Sequence, residues 1–158
     1  GGVQVVPGFA GLGAPHWRPE AHGTILGLTL GSGRGHIVRA AFEAVANQSA
    51  ELQRAFAADG VHWSRLRIDG GMAAHDLLAQ DLADVLGIAV ERPANVESSA
   101  LGAAMLAAVG AGLYATLEGA AAAMRGSSEM FAPAMKADDR ACRLRRWDRA
   151  VAAVIMAR

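Results

Sequence analysis

Ser64–Leu86 reads SRLRIDGGMAAHDLLAQDLADVL. Leu66 and Ile68 alternate with polar neighbours, the pattern of a short half-buried strand. The run stops at Asp69-Gly70-Gly71. From about Ala74 the residues Leu77, Leu78, Leu82, Val85 and Leu86 recur at helical spacing, and Gly87 follows as the stop. Two adjacent glycines between a strand and a helix have two explanations. One is a tight turn. The other is a ligand that comes closer to the backbone than a side chain would allow. The first turn of a helix offers free N–H groups, so an anion or a nucleotide suits such a junction. Gly-Gly turns are common, and on these residues alone the plain turn is the simpler reading.

Around this centre, strands and helices alternate. Val3–Phe9 and Thr24–Thr29 read as two strands of a hairpin, joined by the loop Gly11–Gly23 with its two prolines and three glycines. After GSGRG (Gly31–Gly35) comes a long helix. Its apolar stripe is Ile37, Val38, Ala41, Phe42, Val45, Ala46, Ser49, Leu52 and Phe56, while Asn47, Gln48 and Glu51 lie mostly off it. Asp59-Gly60 closes it. Beyond the central stretch, Ile88–Pro93 is a short strand. NVESSALGAAMLAAVGAGLY then predicts a helix buried all round, opened by N-capping serines and ended by Gly110 and Gly112. Thr116–Met124 is a short helix, Arg125–Lys136 a loop, and Asp138–Met156 a closing helix. That last helix turns Leu144, Trp147, Val151, Val154 and Ile155 inward, and its arginines 140, 143, 145, 146 and 149 mostly toward water. The order predicts an α/β layer fold with helices covering the sheet.

The composition narrows the function classes. The chain has 158 residues, no net charge, 53% hydrophobic residues and only 5% aromatics, so alanine-lined helix contacts should form much of the core. Balanced charge gives no footprint for nucleic acid or an anionic membrane. The longest apolar run, Ala100–Tyr114, is shorter than the roughly 20 residues of a membrane span. No signal peptide is visible. A lone cysteine, Cys142, allows no internal disulfide and fits a reducing compartment.

Catalytic groups are not conspicuous. GLGAPH at Gly11 lacks the third glycine of a dinucleotide fingerprint, and GSGRG lacks the Lys-Ser/Thr of a P-loop. Histidines 16, 22, 36, 62 and 75 show no metal-ligand spacing. No nucleophile–base pair stands out, and Glu91 and Glu97 read as surface charges. His75 sits on the first turn of the helix after Gly71.

The longer motifs resemble a family. GTILGLTLGSGRGHIVRAAFE is similar to a signature of the FGGY carbohydrate kinases. Gly23, Ile25, Gly27 and Leu28 match, seven free positions follow, and His36, Ile37, Ala40, Ala41, Phe42 and Glu43 match again. LRIDGGMAAHDLLAQDLADVLGIAVERP resembles the family's adenosine-side motif, ESSALGAAMLAA its hinge-side helix, and MFAPAMKADDRACRLRRWDRAV its C-terminal tail. The likeness covers essentially the whole chain. It is strongest to the members that phosphorylate glycerol.

The resemblance implies that residues 1–158 are the C-terminal domain of a two-domain kinase. The implied fold is ribonuclease H-like, as in actin, Hsp70 and hexokinase: a mixed sheet flanked by helices, incomplete at its N-terminal edge. ATP, with Mg2+ held mainly through the nucleotide and the N-terminal domain, would donate its γ-phosphoryl to glycerol, giving sn-glycerol 3-phosphate. Xylulose or ribulose kinases, or a non-catalytic nucleotide-binding module, are the alternatives. The family's catalytic aspartate and polyol-binding residues lie in the N-terminal domain, upstream of Gly1, so this chain is expected to hold no catalytic residue and no metal ligand. Its expected nucleotide contacts are Gly70, Gly71 and His75, the last standing where the family usually has asparagine. His16, where the family uses tyrosine, is expected on a loop near the domain interface. A cytoplasmic location is implied, and a homo-oligomer is left open.

Overall fold

A computed structural model describes residues 1–157. The elements are β1 (Gln4–Val6), β2 (Thr24–Leu26), α1 (Arg34–Ala58), β3 (Arg65–Arg67), a 3-10 turn (Gly71–Ala74), α2 (Asp76–Leu86), β4 (Ala89–Pro93), α3 (Ser98–Gly110), α4 (Leu117–Met124), β5 (Ser128–Phe131) and α5 (Ala137–Met156). β1 and β2 form the expected antiparallel hairpin, with Val5 opposite Ile25. The second sheet has the order β3-β4-β5. β3 and β4 run parallel, with Leu66 opposite Val90, and the connection between them is the turn and α2. β5 is antiparallel to β4, with Glu91 opposite Met130. The α/β class stands.

α1 runs through the middle of the molecule. On one side Ala44 joins Val6, Leu12, Trp147, Val151 and Val154. On the other, Ala46 and Ala50 join Leu78, Leu82, Val85, Leu86 and Val90. Ala46, Ala50, Ala79 and Ala83 are almost wholly buried, and these small side chains let α1 and α2 approach closely. α2 ends as its sequence requires: Gly87 adopts φ +68°, a left-handed cap, and its N–H donates to Ala83 O at 2.9 Å. At the other end of α1, the Gly33 N–H donates to His36 Nδ1 at 3.0 Å, so the signature histidine caps the helix.

Several sequence expectations are corrected. Asn47 and Glu51 are buried, because α1 is covered on two sides and not along a single stripe. Val38 and Phe56, by contrast, are exposed. Arg143 is 7% exposed and no part of a solvated face. It donates through Nη1 and Nη2 to both carboxylate oxygens of Asp81 (2.5 and 2.7 Å), and through Nε to Asn47 Oδ1 at 3.0 Å. One guanidinium thus joins α1, α2 and α5. The helix α3 is not buried all round. Only Met105 and Ala108 are buried, and Leu106 is 62% exposed. Its N-cap is Glu97, with no side-chain cap bond, rather than a serine. Finally, Ser128–Phe131 is a strand within the segment read as loop.

Trp147 is the largest fully buried side chain, and its Nε1 finds no acceptor among the described residues. Trp147→Ala should cost about 3–5 kcal/mol, the usual range for emptying an aromatic site. Trp147→Phe should cost much less, since it also removes a buried donor that makes no hydrogen bond. Urea midpoints of the two variants check this.

Candidate functional site

The two central glycines differ in what they do. Gly70 has φ +84° and ψ 173°, a region that side chains disfavour. Its N–H donates to Val96 O at 2.7 Å, and its carbonyl accepts from Ala73 N at 3.0 Å. Gly70 is therefore a backbone requirement of the turn. Gly71 is not. Its φ lies outside the positive range, and a Cβ added there would meet nothing within 4 Å. Neither conformation nor crowding inside this chain calls for glycine at position 71. The residue presents bare main chain to the exterior.

The segment that follows is a single 3-10 turn rather than the start of the α-helix. Ala73 is its one buried residue, and Met72 and Ala74 face outward. His75 ends the turn and is the N-cap of α2, with extended backbone (φ −89°, ψ 116°). Leu78 and Ala79 donate to its carbonyl. The start of the helix thus moves from about Ala74 to Asp76, and His75 moves from the first helical turn to the cap. The His75 side chain is exposed. Its ring meets Phe42 of α1 edge to face, with centroids 5.9 Å apart and planes at 83°. Gly71 and His75 are both exposed, and the His75 ring lies beside α1. Phe42 appeared in the sequence only as a member of an apolar stripe, and nothing in its spacing marked it as a neighbour of His75.

Two clefts abut this segment at its ends. One, about 490 Å³, includes Asp69, Asn95, Ser98, Gly102 and Arg125. The other, about 430 Å³, includes Ala74, Arg92, Val96 and Ser128. Neither is lined by Gly70, Gly71 or His75. A third, about 400 Å³, lies under His16. There His16 Nε2 donates to Glu51 Oε1 at 2.7 Å and fastens the Gly11–Gly23 loop to α1. Among the described residues no three His, Cys, Asp or Glu side chains are grouped as a metal site. No helix there is long and apolar enough to cross a membrane.

Electrostatics stiffen the sheet behind the site. The hydrogen bond from Arg67 Nε (3.0 Å), helped by Ser128 and by the charges of Arg65 and Arg67, holds the Glu91 carboxyl below its ordinary value of 4.5. A carboxyl lowered in the folded state stabilises the fold above its unfolded-state pKa and loses that contribution as pH falls through the folded value. Acid below pH 4.5 should therefore weaken the β3–β4 pairing. Glu91→Gln should flatten the acid limb of a melting-temperature profile and leave the neutral limb lower.

Comparison with known proteins places this geometry. Residues 1–111 match the C-terminal domain of the FGGY family of carbohydrate kinases. A glycerol kinase of Methylibium petroleiphilum is 53% identical over 156 residues, covering 96% of this chain and 31% of that protein. A glycerol kinase of a Polaromonas species is 46% identical, covering 99% of this chain and 32% of that one. The chain thus spans about a third of the length of these relatives. Among solved structures, Plasmodium falciparum glycerol kinase with ADP superposes with a TM-score of 0.83 at 33% identity, over 99% of this chain and 31% of that one. Xylulose kinase from Rhodospirillum rubrum gives 0.74 at 31% identity, over 96% and 30%. The fold is accordingly the ribonuclease H-like type that FGGY kinases share. On sequence and on structure alike, the chain belongs to the FGGY family of carbohydrate kinases.

Proposed function

We propose that residues 1–158 are the C-terminal domain of a glycerol kinase and supply the adenosine-facing wall of its ATP site. The observation that carries this reading is Gly71: it is bare and outward-facing, with no internal reason to be glycine. A nucleotide laid against that main chain supplies the reason. Gly70 sets the turn that presents it. His75, fixed at the helix cap and edge-on to Phe42, offers a ring nitrogen to the adenine or ribose, in place of the asparagine usual at this position. The similarity to glycerol kinases, at 46–56% identity, supports glycerol over a ketose as acceptor.

The chemistry is phosphoryl transfer. A terminal hydroxyl of glycerol bonds to the γ-phosphorus, the bond from that phosphorus to the β-bridging oxygen breaks, and ADP leaves. The hydroxyl proton goes to a carboxylate base. In this reading the base and the polyol contacts come from an N-terminal domain, and this chain binds and orients the nucleotide. Mg2+ accompanies the triphosphate. The described residues bring together no donor set for it, so no step is assigned to a metal held here. The cytoplasm, where ATP is abundant and the Cys142 thiol stays reduced, is the compartment that fits.

Turnover assays of the intact kinase with ATP and glycerol, xylulose or ribulose test the assignment. Phosphorylation of glycerol in strong preference to both ketoses is expected. Preference for a ketose would replace the acceptor, and turnover by residues 1–158 alone would place the base in this chain and overturn the division of labour.

A further inference from the structure

Arg92 stands near the end of β4, before Pro93, and only 13% of its side chain is exposed. Its guanidinium serves three partners. Nη1 donates to Ala73 O at 3.0 Å, and Nη2 donates to Asp76 Oδ1 at 2.7 Å and to Glu129 Oε2 at 2.5 Å. It also lies over the Phe131 ring, 4.9 Å from the centroid. The hydrogen bonds to Asp76 and then Glu129 raise its pKa, so it remains a fixed cation. One side chain therefore ties the 3-10 turn and the first residue of α2 to strands β4 and β5.

Besides Arg92, the turn is held by the burial of Ala73, by the packing of His75 at the cap and by a few backbone hydrogen bonds. Single 3-10 turns have poor hydrogen-bond geometry. Within this one, Ala73 N–H donates to Gly70 O and His75 N–H to Met72 O. From outside, Gly70 N–H is held by Val96 O at the start, and Ala73 O is held by Arg92 at the end. We infer that Arg92 is a positioning residue for nucleotide binding. It holds the Gly71–His75 backbone in one place, so that an incoming adenine nucleotide does not have to order it. This inference rests on the reading of Gly71 given above. Preorganisation of this kind acts on binding and leaves the chemical step alone. Lysine keeps the charge but lacks the planar fork that serves a carbonyl and two carboxylates together.

Steady-state kinetics and melting temperatures of Arg92→Ala, Arg92→Lys, Arg67→Ala and Gly71→Val in the intact kinase provide the test. Arg92→Ala should raise the KM for ATP about tenfold. Its kcat and its KM for glycerol should stay within about twofold of wild type. Arg92→Lys should fall between. Arg67→Ala removes a guanidinium from the same sheet, paired with Glu91 rather than with the turn, and should leave the KM for ATP unchanged. A lower melting temperature with an unaltered KM for ATP in Arg92→Ala would reduce Arg92 to a structural role and overturn the inference. Should Arg92→Ala fail to fold, a wild-type KM for ATP in Arg92→Lys would do the same. Gly71→Val separates the two levels. If it raises the KM and the Arg92 variants do not, only the positioning role fails. If it too has no effect, the nucleotide reading of the turn fails.

Discussion

Gly71→Val should raise the KM for ATP by about 30-fold, a loss of roughly 2 kcal/mol in binding, with a melting temperature close to that of the parent. The separation follows from the geometry. A Cβ at position 71 meets nothing within 4 Å, and the backbone there needs no positive φ, so the fold accepts a side chain. A nucleotide resting on that main chain does not. Gly71→Ala should lie between. Gly70→Ala should behave in the opposite way: its φ of +84° with ψ 173° lies in a region essentially confined to glycine, so stability falls by about 1–3 kcal/mol. Comparing the two neighbouring alanine variants by ADP titration and thermal melting therefore distinguishes the two reasons for the glycine pair. An unchanged KM for ATP in Gly71→Val would remove the basis of the functional reading.

The second large effect concerns stability. Asp81→Ala should lower the unfolding free energy by about 3–5 kcal/mol. Arg143 would then be left charged and buried, with only Asn47 Oδ1 and the Glu43 carbonyl as acceptors. The attraction between the pair does not set that cost; the stranded cation does. Replacing both partners with apolar residues, Asp81→Leu with Arg143→Met, should therefore cost less than Asp81→Ala alone. A double-mutant cycle by urea unfolding measures the coupling. Additive single effects would show that the pair is not acting as a unit.

How much of this was legible in the sequence depended on whether a residue's surroundings were local. α2 and α5 were visible because one apolar face repeats at helical spacing and Gly87 closes the first of them. β5 was not, because SEMF is a four-residue edge strand with mostly exposed side chains, and nothing alternates for a pattern to detect. α3 misled for a different reason. A run of alanines and leucines reports what a helix can bury, not whether another element covers it, and Leu106 remains exposed. Arg143 misled because its partner is 62 residues away in Asp81. At the site, spacing located the glycine pair but favoured the plain turn over a ligand. Only the backbone angles separated Gly70 from Gly71. Arg92 carried no signal at all beyond standing before a proline, since its three partners are drawn from the turn, from α2 and from β5.

The two-sided burial of α1 also bears on how this chain can diverge. A helix lying on a surface can change most of its outward positions freely. Here Ala44, Ala46 and Ala50 admit no larger side chain without moving a neighbour, and Asn47 and Glu51 are committed to Arg143 and His16. Drift along α1 is left to a narrow strip of tolerant sites such as Val38 and Ala58, which are exposed, so homologues should differ there first.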